Sequence, residues 1–349
     1  MCGSSPKKVF IRTDANAMIA SGHVMRCLSV ADALRGRGAG VEFVLSDNGP
    51  AGVIRERGYE ALILGTDWRR IEEGAELLEA RCLEESERPV VLVDTYAITS
   101  SYVNRLARCC RVCYLGSKAG DLGSLALLAN YSTEVDVRGC EMLYGSRGTR
   151  LLLGPSFAPL RAQFADSYED RTGEVDRVLV TTGSTDPMRF VPTFLEAALK
   201  SEALRDVSFA VVVGGMFDDV SEIEGIASAH PRVELHRGVS DMAELMASAD
   251  AAVSANGTTV YEMAAVGLPA VTFAMVEEQV PSAESLARLG AVAYAGCAGD
   301  SASEVARRAL TRLEGLVSEP RRAHALALRA HALIDGRGAD RIAKEIITL

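Results

Sequence analysis

No apolar run in this chain approaches the roughly 20 residues that span a bilayer. The opening MCGSSPKK leads straight into a strand-like run, without the apolar core of a secretory signal. No integral membrane segment is therefore expected, and the expected location is cytoplasmic. Basic residues are in deficit, 37 against 47 acidic ones for a net charge of -10, and they are scattered rather than gathered into a stripe. Phosphate backbones are bound by clustered cations, so nucleic acid is not an expected partner. The eight cysteines follow no regular spacing. The cluster CCRVC, with Cys109, Cys110 and Cys113, has no second cysteine or histidine pair beside it and reads as buried thiols rather than a metal site. No GxGxxG occurs, and no lysine follows the Gly-rich turns as a Walker loop requires.

What the 349 residues do contain is an alternation of short β-branched runs with helical patterns, over a length that suits two domains. In the first half KVFIR, VEFVL, EALIL, PVVLVD and RVCYLG read as strands, with helices over Gly22 to Arg37, near Arg69 to Glu84 and near Ser100 to Arg108. A polar stretch, ADSYEDRTGEVD, reads as a linker. The alternation then restarts with RVLVTTG, VSFAVVVGG, VELHRG, AAVSANG and PAVTFAM, and with helices from Arg189, over Asp241 to Ala249 and over Thr258 to Val266. That pattern predicts α/β architecture with two Rossmann-like doubly wound domains. The expected division is 1–160, a linker at 161–175, and 176–349, with a C-terminal helix crossing back. Ligands of such sheets bind beyond the carboxyl ends of the strands, here in the cleft across which the two domains are expected to face.

Every chemically suggestive stretch falls at a strand's carboxyl end. TTGSTDP, Thr181 to Pro187, and SANGTTVYE, Ser254 to Glu262, are Gly-rich strand-to-helix turns that can offer backbone N–H groups to an anion. Either alone reads equally as a plain tight turn; two with hydroxyls in one domain point to a diphosphate. Glu262, four residues after Thr258, sits where a carboxylate can take both hydroxyls of a ribose. His23 opens a helix directly behind Gly22, which leaves room for a ligand. Asp14, just past the first strand, is expected to orient its imidazole, as carboxylates do for catalytic histidines. VDTYAI puts Asp94 and Tyr96 at the end of the fourth strand. His230, His236, His324 and His331 lie in surface contexts that suggest no chemistry.

IRTDANAMIASGHVMRCLSVADAL, VDTY, GPSFAPLRAQF, TTGSTDP, DMAELMASADAAVSANGTTVYEMAAVGLPAV and DGRGADRI together resemble the pseudaminic-acid pathway UDP-sugar hydrolases. These act on UDP-2,4-diacetamido-2,4,6-trideoxy-β-L-altropyranose and have a GT-B fold akin to the peptidoglycan N-acetylglucosaminyltransferase. The resemblance implies that His23 is the general base that activates water at the anomeric carbon, supported by Asp14, and that Tyr96 helps hold the sugar. It implies that Ser254, Gly257, Thr258, Thr259 and Glu262 hold the diphosphate and ribose, and that the segment Val239 to Met242 meets the uracil. The implied partner is a small-molecule nucleotide-sugar, with no metal and no other cofactor.

The sequence departs from the family's pattern at several positions. Ala20 replaces a glycine before the GH pair, and Gly183, Ser184, Thr185, Asp186 and Pro187 stand for GGSDP. Asn256 replaces the first glycine of GGTT, Glu278-Gln279 replaces an Asn-Gln pair, and Gly116-Ser117 replaces two aspartates. Glu278 brings a charge where a neutral amide meets the sugar, so a retuned sugar pocket is expected. The alternative is a GT-B glycosyltransferase, in which the same base deprotonates an acceptor hydroxyl.

Overall fold

The computed structural model describes residues 6–16, 22–299 and 301–349. The chain divides into two compact units, Met1–Ala162 with Arg337–Leu349, and Gln163–Gly336. Along the first run the elements are β1 (Lys8–Thr13), α1 (Gly22–Gly36), β2 (Gly40–Leu45), α2 (Ala51–Glu56), β3 (Glu60–Ile63), α3 (Ala75–Leu83), β4 (Val90–Asp94), α4 (Ser100–Leu106), β5 (Arg111–Leu115), β6 (Leu127–Asn130), α5 (Val137–Tyr144) and β7 (Arg150–Leu153). The second unit holds β8 (Arg177–Thr181), α6 (Phe190–Ala198), β9 (Ser208–Val213), α7 (Ser221–Ala229), β10 (Val233–Arg237), α8 (Met242–Ala247), β11 (Ala251–Ala255), α9 (Thr258–Val266), β12 (Ala270–Ala274), α10 (Val280–Arg288), β13 (Ala293–Cys297), α11 (Ala302–Ser318) and α12 (Pro320–Leu333). The last helix, α13 (Gly338–Ile347), belongs to the first unit.

Each unit is a doubly wound parallel sheet, in the orders β3-β2-β1-β4-β5-β6-β7 and β10-β9-β8-β11-β12-β13. The strands are mostly apolar because both faces are covered, with charged residues chiefly at their ends, and alternate residues go to opposite sides. In the first sheet Val9, Ile11, Phe43 and Leu92 pack on the side of α1 and α13, while Phe10, Val44, Val91 and Val93 pack on the side of α3 and α4. Helix α1 buries His23, Val24, Cys27, Leu28, Ser29, Val30, Ala31 and Leu34, more than the one stripe that packing on the sheet alone requires. Ala339, Ile342, Ala343 and Ile346 of α13 join the same core and explain the excess. Two strands, β6 and β7, joined through α5, lie between the strand runs read from the sequence and complete the far edge of the first sheet. Among the described residues no helix is long and apolar enough to cross a membrane.

Of the expected linker 161–175, residues 161–162 belong to the first unit and 163–175 to the second. The fastening is Arg171, whose side chain is 9% exposed. Its guanidinium donates to the carbonyls of Met246, Ala247 and Ala249 behind α8, and to those of Val266 and Gly267 at the end of α9. A cation at two helix C-termini satisfies carbonyls that the helices leave open and complements both dipoles. Arg171→Ala should therefore lower the unfolding free energy of this unit by about 2–4 kcal/mol in urea titration, since several carbonyls lose their donor at once. Arg171→Lys should recover only part of that, because an ammonium cannot reproduce the planar fork.

Candidate active site

In the first unit the chain leaves β1 toward β2 on one side and leaves β4 toward β5 on the other, so the β1/β4 boundary is the switch point where such sheets bind ligands. Thr13, the last residue of β1, pairs with Asp94, the last residue of β4. Helix α1 starts immediately above, with Gly22 exposed at its first position and His23 buried behind it. His23 Nδ1 lies 2.6 Å from Asp94 Oδ1. Arg26, one helical turn on, clamps the same carboxylate with Nε to Oδ2 at 2.6 Å and Nη2 to Oδ1 at 2.5 Å. Its Nη1 donates to the Tyr131 hydroxyl at 3.1 Å, and the Cys27 thiol donates to Asp94 Oδ2 at 3.4 Å.

Asp94 is 1% exposed, and burial by itself pushes its carboxyl up; the charge of Arg26 and the hydrogen bonds from His23 and Arg26 outweigh that and hold it below the usual range. Arg26 Nη2 also lies 2.8 Å from His23 Nδ1, but the ionised carboxylate is nearer at 2.6 Å; assigning the ring proton to Nδ1 on that ground leaves the lone pair on Nε2. That atom is buried and meets no hydrogen-bond partner among the described residues. Tyr96, 63% exposed on the loop after β4, packs edge-on against the imidazole with ring centroids 4.5 Å apart.

Asp14 does not perform the orienting role expected of it. Its carboxylate accepts from Arg12 Nη1 at 2.5 Å and from the Ser46 backbone N–H at 2.8 Å, tying β1 to β2. Arg12 is fully buried and its charge must be met, so it captures the nearest carboxylate and leaves the histidine to Asp94. Sequence reading also missed Arg26. Its signal was the i, i+3 spacing in GHVMR, which puts it on the face of α1 that carries His23. The loop after β5, with Gly116-Ser117, adjoins this site through Lys118, whose Nζ donates to the carbonyls of Tyr96 (3.3 Å) and Ile98 (2.6 Å). Ser117, Lys118, Asn130, Ser132, Glu134 and Asp136 line a cavity of about 390 Å³ there. Ala20, where the family has a glycine, lies outside the described residues.

In the second unit the corresponding switch point lies between β8 and β11. The two Gly-rich turns leave these adjacent strands, and only one of them has an open helix end. Asp186 accepts from the backbone N–H groups of Phe190 and Val191 at 2.9 and 2.8 Å, so its carboxylate already occupies the start of α6. Burial raises the Asp186 carboxyl, opposed by those two donors. Gly183, at φ 85°, Ser184 and Thr185 form the preceding loop, braced by the Ser184 carbonyl accepting from Met216 N at 3.0 Å. A Cβ at Gly214 would come within 2.3 Å of the Gly183 carbonyl oxygen, so glycine there is what lets the two loops meet.

Helix α9, by contrast, starts at Thr258 behind Gly257, which supplies no side-chain cap. The Val260 N–H donates to the Gly257 carbonyl at 3.2 Å, which leaves the Thr258 and Thr259 end of the turn, with Thr258 exposed, as the place an anion can approach. Glu262 stands one turn further on, half-buried. Ser254 is buried and donates to the Ala255 carbonyl at 3.0 Å. Asn256, in place of the family's glycine, bonds through Nδ2 to the Gln279 carbonyl at 3.4 Å, and its buried Oδ1 has no hydrogen-bond partner among the described residues. Gln279 Oε1 accepts from Met275 N at 2.8 Å, so this side chain braces the turn after β12 while Glu278 beside it is exposed. Val239 and Met242, both half-buried, flank the Asp241 cap of α8 beyond β10.

No family model matches the chain. It is 28% identical over 202 residues to the spore coat polysaccharide biosynthesis protein SpsG of Bacillus subtilis, a match covering 57% of this chain and 59% of that protein. It is 22% identical over 284 residues to the uncharacterized protein MJ1062 of Methanocaldococcus jannaschii, covering 78% and 56%. The match thus spans less than two thirds of either relative. Among solved structures, MurG of Acinetobacter baumannii superposes over 99% of this chain and 100% of its own, with TM-score 0.68 at 16% identity. The UDP-GlcNAc 2-epimerase of Neisseria meningitidis does so over 98% and 100%, with TM-score 0.65 at 12% identity. The fold is GT-B.

Asp94→Asn removes the charge but not the volume and leaves the Arg26 guanidinium buried without a counter-ion. It should destabilise the protein by about 3–5 kcal/mol at pH 7. Because the folded carboxyl titrates below the unfolded value of about 3.9, the wild-type advantage is complete above that pH and fades as pH falls through the lower folded value. Urea unfolding of both proteins across this range should show the gap narrowing below about pH 4; a gap independent of pH would remove Asp94 from the ion pair.

Proposed function

We propose that the chain hydrolyses a nucleotide-activated sugar, a UDP-linked amino or deoxy hexose, releasing free sugar and UDP. The observation that carries this reading is the His23 imidazole at the switch point, with Nδ1 fixed on a clamped carboxylate and Nε2 left open. An imidazole so held is oriented to accept one proton and is kept in the tautomer that can do so. Water gives that proton to Nε2 as its oxygen bonds to the anomeric carbon; the bond from that carbon to the diphosphate oxygen breaks, and UDP leaves with the electron pair. Tyr96 borders the reacting sugar, and the open start of α9, with Thr258 and Thr259, takes the diphosphate, leaving Glu262 for the ribose hydroxyls.

The GT-B fold, the similarity to a polysaccharide biosynthesis protein and a structural neighbour bound to UDP-GlcNAc support a nucleotide-sugar substrate. The motif resemblance supports hydrolysis, with the altrose derivative as the first sugar to try and nonulosonic acid biosynthesis as its setting. Glu278 and Gly116-Ser117 mark where the sugar contact departs from that pattern.

His23→Ala should lose about 10²–10⁴-fold in turnover while binding UDP nearly as well as wild type. Hydrolysis in ¹⁸O-labelled water should place the label on the released sugar. Label on the phosphate of UDP means attack at phosphorus and overturns the mechanism; no release without an added hydroxyl acceptor makes the enzyme a glycosyltransferase. Separately, Glu262→Ala should weaken UDP binding about ten- to a hundredfold, the worth of hydrogen bonds to a charged group. Unchanged affinity by calorimetry takes Glu262 out of the site.

A further inference from the structure

At the opposite end of the first sheet from His23, where β5 begins, three thiols converge that the proposed reaction does not use. Cys82 is on the last turn of α3, and Cys109 and Cys110 are in the turn between α4 and β5. Their sulfur atoms all lie within 4.8 Å of one another. Cys113, which the sequence groups with Cys109 and Cys110, packs in the core on the other face of the sheet, so the spatial cluster differs from the sequence cluster. Cys82 was the missing member, brought in by the packing of α3 beside α4.

The spacing is that of a coordination shell. A cation with metal–sulfur bonds of about 2.3 Å needs its sulfurs roughly 4 Å apart, which small rotamer changes supply here. The thiols share a single acceptor. Both Cys109 Sγ and Cys110 Sγ donate to the Leu106 carbonyl, at 3.4 and 3.2 Å, and that oxygen also accepts from the backbone N–H of Cys109 and of Cys110 at 3.0 Å each. Four donors share that one oxygen, so neither thiol has an acceptor to itself. The Cys110 thiol is pushed well above its usual value by its hydrogen bond to Cys82 and by burial, and burial raises the Cys109 thiol, so an ion displaces held protons on entering the site. The charged groups around it are mixed. Arg81 is next to Cys82, Arg88 donates to the Cys110 carbonyl at 3.0 Å, and Glu79 and Glu85 lie beyond. Cys82 and Cys110 are buried while Cys109 is half-buried, so entry is from the Cys109 side.

We propose that Cys82, Cys109 and Cys110 form a three-thiolate site for a soft d¹⁰ cation, with water as any fourth ligand. Such an ion ties the end of α3 to the turn before β5. Thiolate-only donor sets select soft ions over Mg²⁺ or Ca²⁺, and binding releases the thiol protons. The probe is Cd²⁺, titrated into the reduced full-length protein and followed by thiolate-to-metal charge-transfer absorption. Saturation at one ion per chain is expected, with the band lost in Cys82→Ser, Cys109→Ser and Cys110→Ser and kept in Cys113→Ser. As a check that needs no variant to fold, Cd²⁺ should protect these three thiols of the wild type from alkylation, read by peptide mass spectrometry. Absence of the band from the wild type, its survival in Cys109→Ser, or protection spread equally over Cys27, Cys113 and Cys297 would overturn the site.

Discussion

The carboxylate of Asp94 is the constraint around which the first unit is arranged. It closes a strand that is apolar on both faces, and a charge at that depth is tolerated only because a guanidinium and an imidazole meet it. Both partners come from the first two turns of α1, so the ion pair fixes where that helix starts and which way it faces. Arg12 and Asp14 repeat the same solution one strand over. Because each cation has its own carboxylate, the two networks do not exchange partners, and His23 Nδ1 is held between Asp94 and Arg26 of one network. The orientation of a single ring is therefore a by-product of charge compensation in the sheet.

The second unit solves a related problem in two ways. Its two Gly-rich turns look alike in sequence, yet one helix end is closed by its own loop's carboxylate and the other is open. The difference is one residue: Asp186 stands four positions before Phe190 and reaches back to it, whereas the turn before α9 offers glycine and threonines. A missing side-chain cap is what distinguishes the second turn from the first.

The sheets were legible because a strand covered on both faces must be mostly apolar, and Thr258 to Val266 was read to the residue because a Gly-rich turn precedes it and Gly267 follows it in the left-handed conformation. Elements β6, α5 and β7 were not legible: LLAN and RLLL are four residues each, too short to carry a period. At the site, His23 and Tyr96 were marked by their place at strand ends, and the structure brings them into ring contact. The partner of His23 was misread because proximity in sequence favoured Asp14, while register across the sheet delivers Asp94. Arg171 sits in a composition that reads as solvated chain, and nothing local to it announces the carbonyls it meets from residues 246 to 267.

Helix α13 follows the whole second unit in the chain yet belongs with the first. The outer side of α1 stays uncovered until residues 338–347 leave the ribosome, after the whole of 163–336 has been synthesised. The second unit is thus an insert in the gene order of the first, and it can complete its own sheet while its host is still one helix short. The nascent first unit must hold the apolar residues that await α13 through roughly half of the chain's synthesis, an exposure that favours chaperone capture over early independent folding.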